Sequence, residues 1–323
     1  MTPAGQRKKI AITIGDPAGI GPEVTLKALL SEEVKHICRP LIIGDRAVIE
    51  EAAEALDIPI ETAALDIVDM KEITGRGFEK GHPSSRCGSA SVRYIRKAVE
   101  LAQAGVVDAI VTAPITKESL KLAGFPWPGH TEMLAEFTAS RDVAMMLCGG
   151  PLRVILATIH TALRDVPRLI TRELVLRTIY RAQEATAMLG IEKPGIAVAG
   201  LNPHAGESGL FGDEEHTAIG PAVKEAHTRG IAVSGPFPAD TLFHRAYKGE
   251  YDIVVCMYHD QGLVPLKMIA FDRGVNVTVG LPIIRTSPDH GTAHDIAWKG
   301  TANPSSMIEA IRTAAVLRRA RAL

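Results

Sequence analysis

Lys9-Ile10-Ala11-Ile12-Thr13-Ile14 runs directly into Gly15-Asp16-Pro17-Ala18-Gly19-Ile20-Gly21-Pro22-Glu23, and this junction decides the fold. The first six residues read as a strand. The glycines after them permit positive φ and close backbone approach, and Pro22 suits the first turn of a helix. The unit is therefore strand, tight turn, helix. It superficially resembles a nucleotide-binding glycine loop, but Asp16 and Pro17 interrupt the GxGxxG spacing, and no Walker A lysine is present. A plain turn and an active-site loop both remain open readings.

Outward from this junction the same alternation repeats. Strand-like runs occur at Lys9–Ile14, Pro40–Ile43, Ala109–Thr112, Ala144–Leu147, Arg153–Thr158, Ile196–Ala199, Ile253–Met257 and Val275–Val279. Several are apolar on consecutive positions, as strands covered on both faces must be. Helix-length segments separate them. Thr171 to Leu189 carries Leu174, Thr178, Ala182, Ala185 and Leu189 near a 3.6-residue period, with Thr171 as N-cap and Gly190 as stop. Gly88 to Ala104 reads as another helix, ending at Gly105, and Ser306 with Glu309 has the spacing of a capping box on the last one. Strands alternating with helices predict an α/β fold with a mostly parallel sheet.

A chain of 323 residues, 46% hydrophobic and 23% charged, has the size for two domains or one large α/β unit and the composition of a soluble globular protein. The net charge of −1 gives no global field for nucleic acid or an anionic membrane. The longest apolar runs, such as Asp108–Ala113 and Asp252–Met257, are strand-sized and too short to span a bilayer. Met1 to Lys9 is basic but leads into a strand, not into a signal-peptide core. Cys38, Cys87, Cys148 and Cys256 are scattered without a CxxC pair, which fits reduced thiols in a cytoplasmic protein. With no repeat, charged tail or obvious linker, the two parts of the fold are expected to be interleaved.

Of eleven histidines, three follow apolar strand-like runs: His160, His204 and His259. In open α/β sheets functional groups gather beyond the carboxyl ends of strands, so three such histidines can converge. Three imidazoles with open coordination positions suit Zn²⁺, Co²⁺ or Mn²⁺. Each histidine taken singly is more simply a polar strand-end residue bonded to backbone. The set favours a metal, because Asn202-Pro203-His204-Ala205-Gly206-Glu207 and Met257-Tyr258-His259-Asp260-Gln261 are dense in groups that orient metal-bound imidazoles.

Lys267, Asn276 and Arg285 combine a point charge, a neutral amide and a planar fork, a set suited to phosphate or carboxylate, although each alone reads as a solvated residue. Pro128-Gly129-His130-Thr131-Glu132 opens a helix and puts the His130 and Thr131 donors at its positive end, where an anion is favoured; a self-capped helix start is the plainer alternative. The stretch from His290 and Gly291 to Asn303 and Pro304 is glycine-punctuated and rich in donors. Asp295 suits a ribose hydroxyl and Asn303 an adenine edge, against the plainer reading of a surface loop.

Together these segments resemble the 4-hydroxythreonine-4-phosphate dehydrogenase family of vitamin B6 synthesis. The similarity runs from Ile12–Glu23 to His290-Gly291-Thr292-Ala293, through Thr112-Ala113-Pro114, Gly129–Glu132, Asn202–Glu207, Pro238-Ala239-Asp240-Thr241 and Met257–Gly262. The resemblance implies the fold of isocitrate and isopropylmalate dehydrogenases, with two interleaved α/β subdomains and a cleft between them. Their approximate spans are 1–125 plus 285–323 on the cofactor side and 126–284 for metal, substrate and dimerisation. It implies one divalent ion (Zn, Co, Mn or Mg) on His160, His204 and His259, one of them supplied by the partner of a homodimer. It implies substrate contacts at His130, Thr131, Lys267, Asn276 and Arg285, and NAD or NADP on the loop carrying Gly291, Asp295 and Asn303. Trp298 departs from that loop, which usually has glycine there. Asp240 and Asp260 match acidic positions near the family's metal and are expected to orient ligands or handle protons.

The activity so implied is oxidation of 4-phosphohydroxy-L-threonine at C3 to 2-amino-3-oxo-4-phosphooxybutanoate, which decarboxylates to 3-amino-2-oxopropyl phosphate. Sister proteins oxidise D-threonate or D-erythronate 4-phosphate, or a cyclic dihydrodiol dicarboxylate, with the same metal site and clamp. A metal-dependent phosphatase would use the histidines and clamp but leave the Gly291–Pro304 loop without a role. A non-catalytic metal-binding scaffold would explain neither clamp nor loop.

Overall fold

A computed structural model describes residues 7–73 and 77–319 of the chain. The first six residues of the basic start and the last four of the segment 285–323 lie outside them. The strands are β1 (Lys8–Thr13), β2 (Cys38–Gly44), β3 (Ile67–Asp69), β4 (Ala109–Thr112), β5 (Ala144–Gly149), β6 (Leu152–Leu156), β7 (Ile196–Ala199), β8 (Val233–Phe237), β9 (Ile253–Cys256), β10 (Val275–Val279) and β11 (Ile284–Pro288). Helices connect most of them, so the architecture is α/β. No described helix is long and apolar enough to cross a membrane.

The chain forms two compact units. One comprises the described residues of Met1–Arg141 and Leu281–Val316. Its strands lie in the order β3-β2-β1-β4-β11, parallel throughout. Ile10, Ala11 and Ile12 of β1 and Ile110 and Val111 of β4 are fully buried, because successive side chains point to opposite faces and helices cover both. His130 and Thr131 pack in this unit, along with the loop 290–304.

The other unit comprises Asp142–Gly280 with the described residues of Leu317–Leu323. Its order is β10-β5-β6-β9-β7-β8, antiparallel across β10, β5 and β6 and parallel from β6 to β8. A core of Leu147, Val154, Leu156, Ala197, Val254 and Leu266 lies within it. Because β6, β9 and β7 are neighbours and parallel, the residues after them leave the sheet along one edge.

Three local expectations are corrected. The helix read over 88–104 begins earlier, at Ser85, because Ser84 Oγ accepts from the Cys87 N–H and caps it. The last helix is Ser305–Val316, so Ser306 is not its cap. Asn303 Oδ1 accepts from the Ser305 N–H instead, and Ser306 Oγ accepts from the Asp289 N–H. In Arg172–Met188 the Thr171 cap forms and Thr178, Ala182 and Ala185 are buried as expected, but Val175 and Ile179 complete that face, and Leu174 and Leu189 are only half-buried.

Candidate functional site

In the second unit, β6 and β9 deliver His160 and His259 to one place. The Ala157 and Thr158 N–H groups donate to the Cys256 and Met257 carbonyls, so the chain beyond β6 stays paired with the chain beyond β9. The two imidazole rings lie 5.8 Å apart, tilted by 40°. Both line a cavity of about 300 Å³ with Tyr258, Asp260, Thr161 and Leu163. His259 opens the helix His259–Ala270, and its Nδ1 is 2.7 Å from Asp260 Oδ1. A carboxylate on Nδ1 favours the tautomer that leaves the Nε2 lone pair as a metal donor. The donor chemistry of this pair therefore fits a divalent ion.

His204 follows β7 in a backbone of unusual hand. His204, Ala205, Gly206, Glu207 and Ser208 all have positive φ, from 43° to 82°. His204 is exposed and its ring lies 6.4 Å from that of Phe211. It does not line the His160–His259 cavity, and among the described residues no three His, Cys, Asp or Glu side chains come together to hold an ion.

Gln261, which the sequence marked only as part of a polar stretch, is a structural link between two of these loops. It is buried, its Oε1 accepts from the Met257 N–H at 2.7 Å, and its Nε2 donates to the Gly200 carbonyl at 2.6 Å. One side chain thus ties the end of β9 to the end of β7. Asp240 stands exposed in the first turn of Ala239–Tyr247. Lys267 is half-buried, with Nζ 6.0 Å from the Phe271 ring centre. Asn276 sits on β10 opposite Leu147, and its enclosed Oδ1 has no hydrogen-bond partner.

In the first unit, Arg285 is fully buried on β11. Its Nε and Nη2 donate to Thr112 Oγ1 on β4 at 3.1 and 2.7 Å. Burial lowers its pKa to about 9, so the guanidinium remains charged at neutral pH. His130 begins the helix His130–Phe137, with Thr131 half-buried beside it. Burial, and secondarily the charge of Arg285, hold the His130 imidazole well below its usual pKa and therefore neutral. Its Nε2 is enclosed and has no hydrogen-bond partner. An enclosed polar atom without a partner beside a buried cation is chemistry that suits an oxyanion.

The loop 290–304 lies in the same unit. Gly291, Asp295 and Asn303 are exposed, and the Asp295 carbonyl accepts from Lys299 Nζ at 2.6 Å. Trp298 has φ +60°, and its indole N–H donates to the Pro17 carbonyl at 3.0 Å, with Phe78 at 5.8 Å and Lys80 Nζ 4.2 Å from the ring centre. The Ile20 N–H donates to the Thr292 carbonyl. The loop after β1 thus packs against this second loop.

Comparison with known proteins gives a consistent result. The sequence profile described as "Pyridoxal phosphate biosynthetic protein PdxA" matches residues 36–314. The chain is 49% identical to the 4-hydroxythreonine-4-phosphate dehydrogenase of Desulforapulum autotrophicum, over 96% of this chain and 95% of that one. It is 48% identical to the D-threonate 4-phosphate dehydrogenase of Cupriavidus necator, over 97% and 98%. The crystal structure of a 4-hydroxythreonine-4-phosphate dehydrogenase from Burkholderia phymatum matches with a TM-score of 0.86 at 46% identity, covering 98% of this chain and all of that one.

Proposed function

The chain belongs to the pyridoxal phosphate biosynthetic protein PdxA family and is an oxidoreductase acting on a CH–OH group. From that premise we propose that it oxidises 4-phosphohydroxy-L-threonine at C3 with NAD or NADP. The product, 2-amino-3-oxo-4-phosphooxybutanoate, then loses its carboxylate to give 3-amino-2-oxopropyl phosphate. The observation that carries this assignment is the buried Arg285 beside a neutral His130 whose Nε2 lacks a partner.

We assign phosphate binding to Arg285 and His130, with Thr131 beside them, and further substrate contacts to Lys267 and Asn276. Thr112 orients the guanidinium, a planar group matched to phosphate. His130, kept neutral, adds a hydrogen bond without a second positive charge. His160, His204 and His259 are the proposed metal ligands, and Asp260 holds the proton on His259 Nδ1 so that Nε2 is the donor. When bound, the ion would supply Lewis-acid polarisation of the C3 oxygen and the nicotinamide would supply a hydride acceptor. Gly291, Asp295 and Asn303 are assigned to the cofactor's adenosine end. Asp240 and Asp260 are assigned to proton handling near C3.

Because His204 does not share the cavity of the other two histidines, the ligand set is proposed to close in a homodimer. An exposed apolar stripe supports this: Val264, Met268 and Phe271 follow His259 at helical spacing and lie open on the monomer. A cytoplasmic location is supported by four free cysteines, whose thiols burial keeps protonated.

D-threonate 4-phosphate is the second reading, favoured by the near-equal identity to relatives of either name. One experiment separates them. The metal-loaded protein is incubated with NAD or NADP and a panel of 4-phosphorylated four-carbon acids, and absorbance of the reduced cofactor is followed. Fastest turnover of 4-phosphohydroxy-L-threonine is expected. A preference for D-threonate 4-phosphate moves the assignment to the sister activity, and no reduction with any member rejects both.

A further inference from the structure

The left-handed backbone at His204 needs something to hold it. This conformation is unfavourable for every residue but glycine, and four non-glycine residues adopt it here: His204, Ala205, Glu207 and Ser208. Such a run persists only where its surroundings over-determine it.

The surroundings contain one group placed to do so. Glu215 heads a π-helical turn, Glu215–Ile219, and is buried. Its Oε1 accepts from the Leu201 and Asn202 N–H groups, each at 2.7 Å. Its Oε2 accepts from Asn202 Nδ2 at 2.9 Å, and the same amide nitrogen donates to Glu214 Oε2 at 2.7 Å. Glycines clear the space for this carboxylate. A Cβ on Gly206 would stand 2.8 Å from Glu215 Oε2, and one on Gly200 would stand 3.0 Å from Oε1 and 2.9 Å from the Ala205 Cα. The carboxylate therefore fixes the backbone just before His204 and packs against Gly206 within the run.

We infer that Glu215 is the positioning residue for His204, holding the left-handed turn that presents this imidazole. Both carboxylate oxygens are needed. In Glu215→Gln one oxygen still accepts from backbone, but the new NH₂ faces the Asn202 NH₂, donor against donor. Through Gln261, which bonds the Gly200 carbonyl, the same anchored segment connects to Met257, two residues before His259.

This rests on the assignment of His204 as a metal ligand, and the test separates the two. Zn²⁺ alone is titrated into the full-length metal-free chain against a chromogenic chelator, with hydrogen exchange followed at the Leu201 and Asn202 amides. His204→Ala is measured alongside Glu215→Gln. The expected result is that Glu215→Gln weakens Zn²⁺ binding about 10- to 100-fold, as losses outside the ligand shell do, and speeds exchange at both amides. If His204→Ala loses zinc while Glu215→Gln binds as wild type, the ligand assignment stands and the inference is overturned. If His204→Ala keeps wild-type affinity, the ligand assignment fails and the inference with it. Should Glu215→Gln not fold, Asn202→Ala, which removes only the side-chain amide, replaces it. The same weakening is expected there, and unchanged affinity in it overturns the inference.

Discussion

Trp298 donates its indole N–H to the carbonyl of Pro17 at 3.0 Å while its own backbone sits at φ +60°, a conformation that favours glycine. The bond ties the loop after β1 to the loop proposed for the cofactor. Trp298→Gly relieves roughly 1 kcal/mol of backbone strain but gives up the hydrogen bond and the contacts with Phe78 and Lys80. The half-buried indole outweighs the strain, so a net loss of about 1–2 kcal/mol and a fall of a few degrees in Tm are expected. Trp298→Phe keeps the ring and isolates the hydrogen bond, at about 1 kcal/mol. Thermal unfolding checks both, and a Trp298→Gly protein more stable than wild type would show that strain dominates.

His130 supplies a pH signature. Its folded pKa lies well below 6.5, chiefly from burial and then from Arg285. The unfolded chain therefore takes up a proton near pH 6.5 that the folded chain refuses. Stability associated with this group is present above pH 6.5 and is lost as pH falls towards the folded pKa. His130→Gln removes that component, so its stability deficit relative to wild type should shrink between pH 7.5 and pH 5. Urea unfolding at the two pH values measures it. An equal deficit at both would mean that His130 is not held neutral.

The strands that were legible are those covered on both faces. β4 and β7 have the bounds expected from the sequence, because two-sided burial demands apolar runs such as Ile196-Ala197-Val198-Ala199, and β10 has them too, its three valines alternating with Asn276 and Thr278. β3, β8 and β11 were not read. β3 has three residues, and β8 contains Gly235 and Pro236, tolerable because it is the last strand of its order. β11 is buried yet polar, its Arg285 and Thr286 satisfied by Thr112 and the Ala310 carbonyl, partners far away in sequence. The histidines were legible as strand-end residues. The left-handed turn at His204 was not, since Asn202-Pro203-His204-Ala205-Gly206-Glu207 contains a single glycine to suggest it. The supports Glu215, Gln261 and Thr112 carry no local signal, because each acts on a backbone or side chain that the fold brings to it.

Arg285 and Thr112 make a separable pair. Arg285→Lys keeps a charge but loses the planar fork, so kcat/KM for the phosphorylated substrate should fall about 100-fold, in line with hydrogen bonds to charged groups at roughly 1.5–3 kcal/mol. Thr112→Val preserves shape and removes the oxygen that holds Nε and Nη2. Its effect should be smaller, about tenfold, and confined to KM, because the guanidinium is present but less well aimed. Steady-state kinetics with varied substrate distinguishes the two. Equal losses in kcat for Thr112→Val would argue that this hydroxyl does more than orient the arginine.

Gln261 provides the sharpest test of how the β7 and β9 ends are joined. Its Oε1 accepts from the Met257 N–H and its Nε2 donates to the Gly200 carbonyl, so the amide is needed at both ends. In Gln261→Glu the first bond survives, but an ionised carboxylate oxygen would face the carbonyl oxygen at about the former donor distance. The new acid can replace the lost donor only when protonated. Its folded pKa is therefore raised above the unfolded value of about 4.3. The stability it contributes is present below that value and lost as pH rises through the folded pKa. At pH 7.5 the variant should be less stable than wild type by about 1–3 kcal/mol, the cost of an unsatisfied buried group, and at pH 4 most of that deficit should disappear. Gln261→Ala, which can regain nothing by protonation, should show the same deficit at both pH values. Denaturant titration of all three proteins at the two pH values decides the matter: a Gln261→Glu deficit that does not shrink in acid is incompatible with a donor at this position.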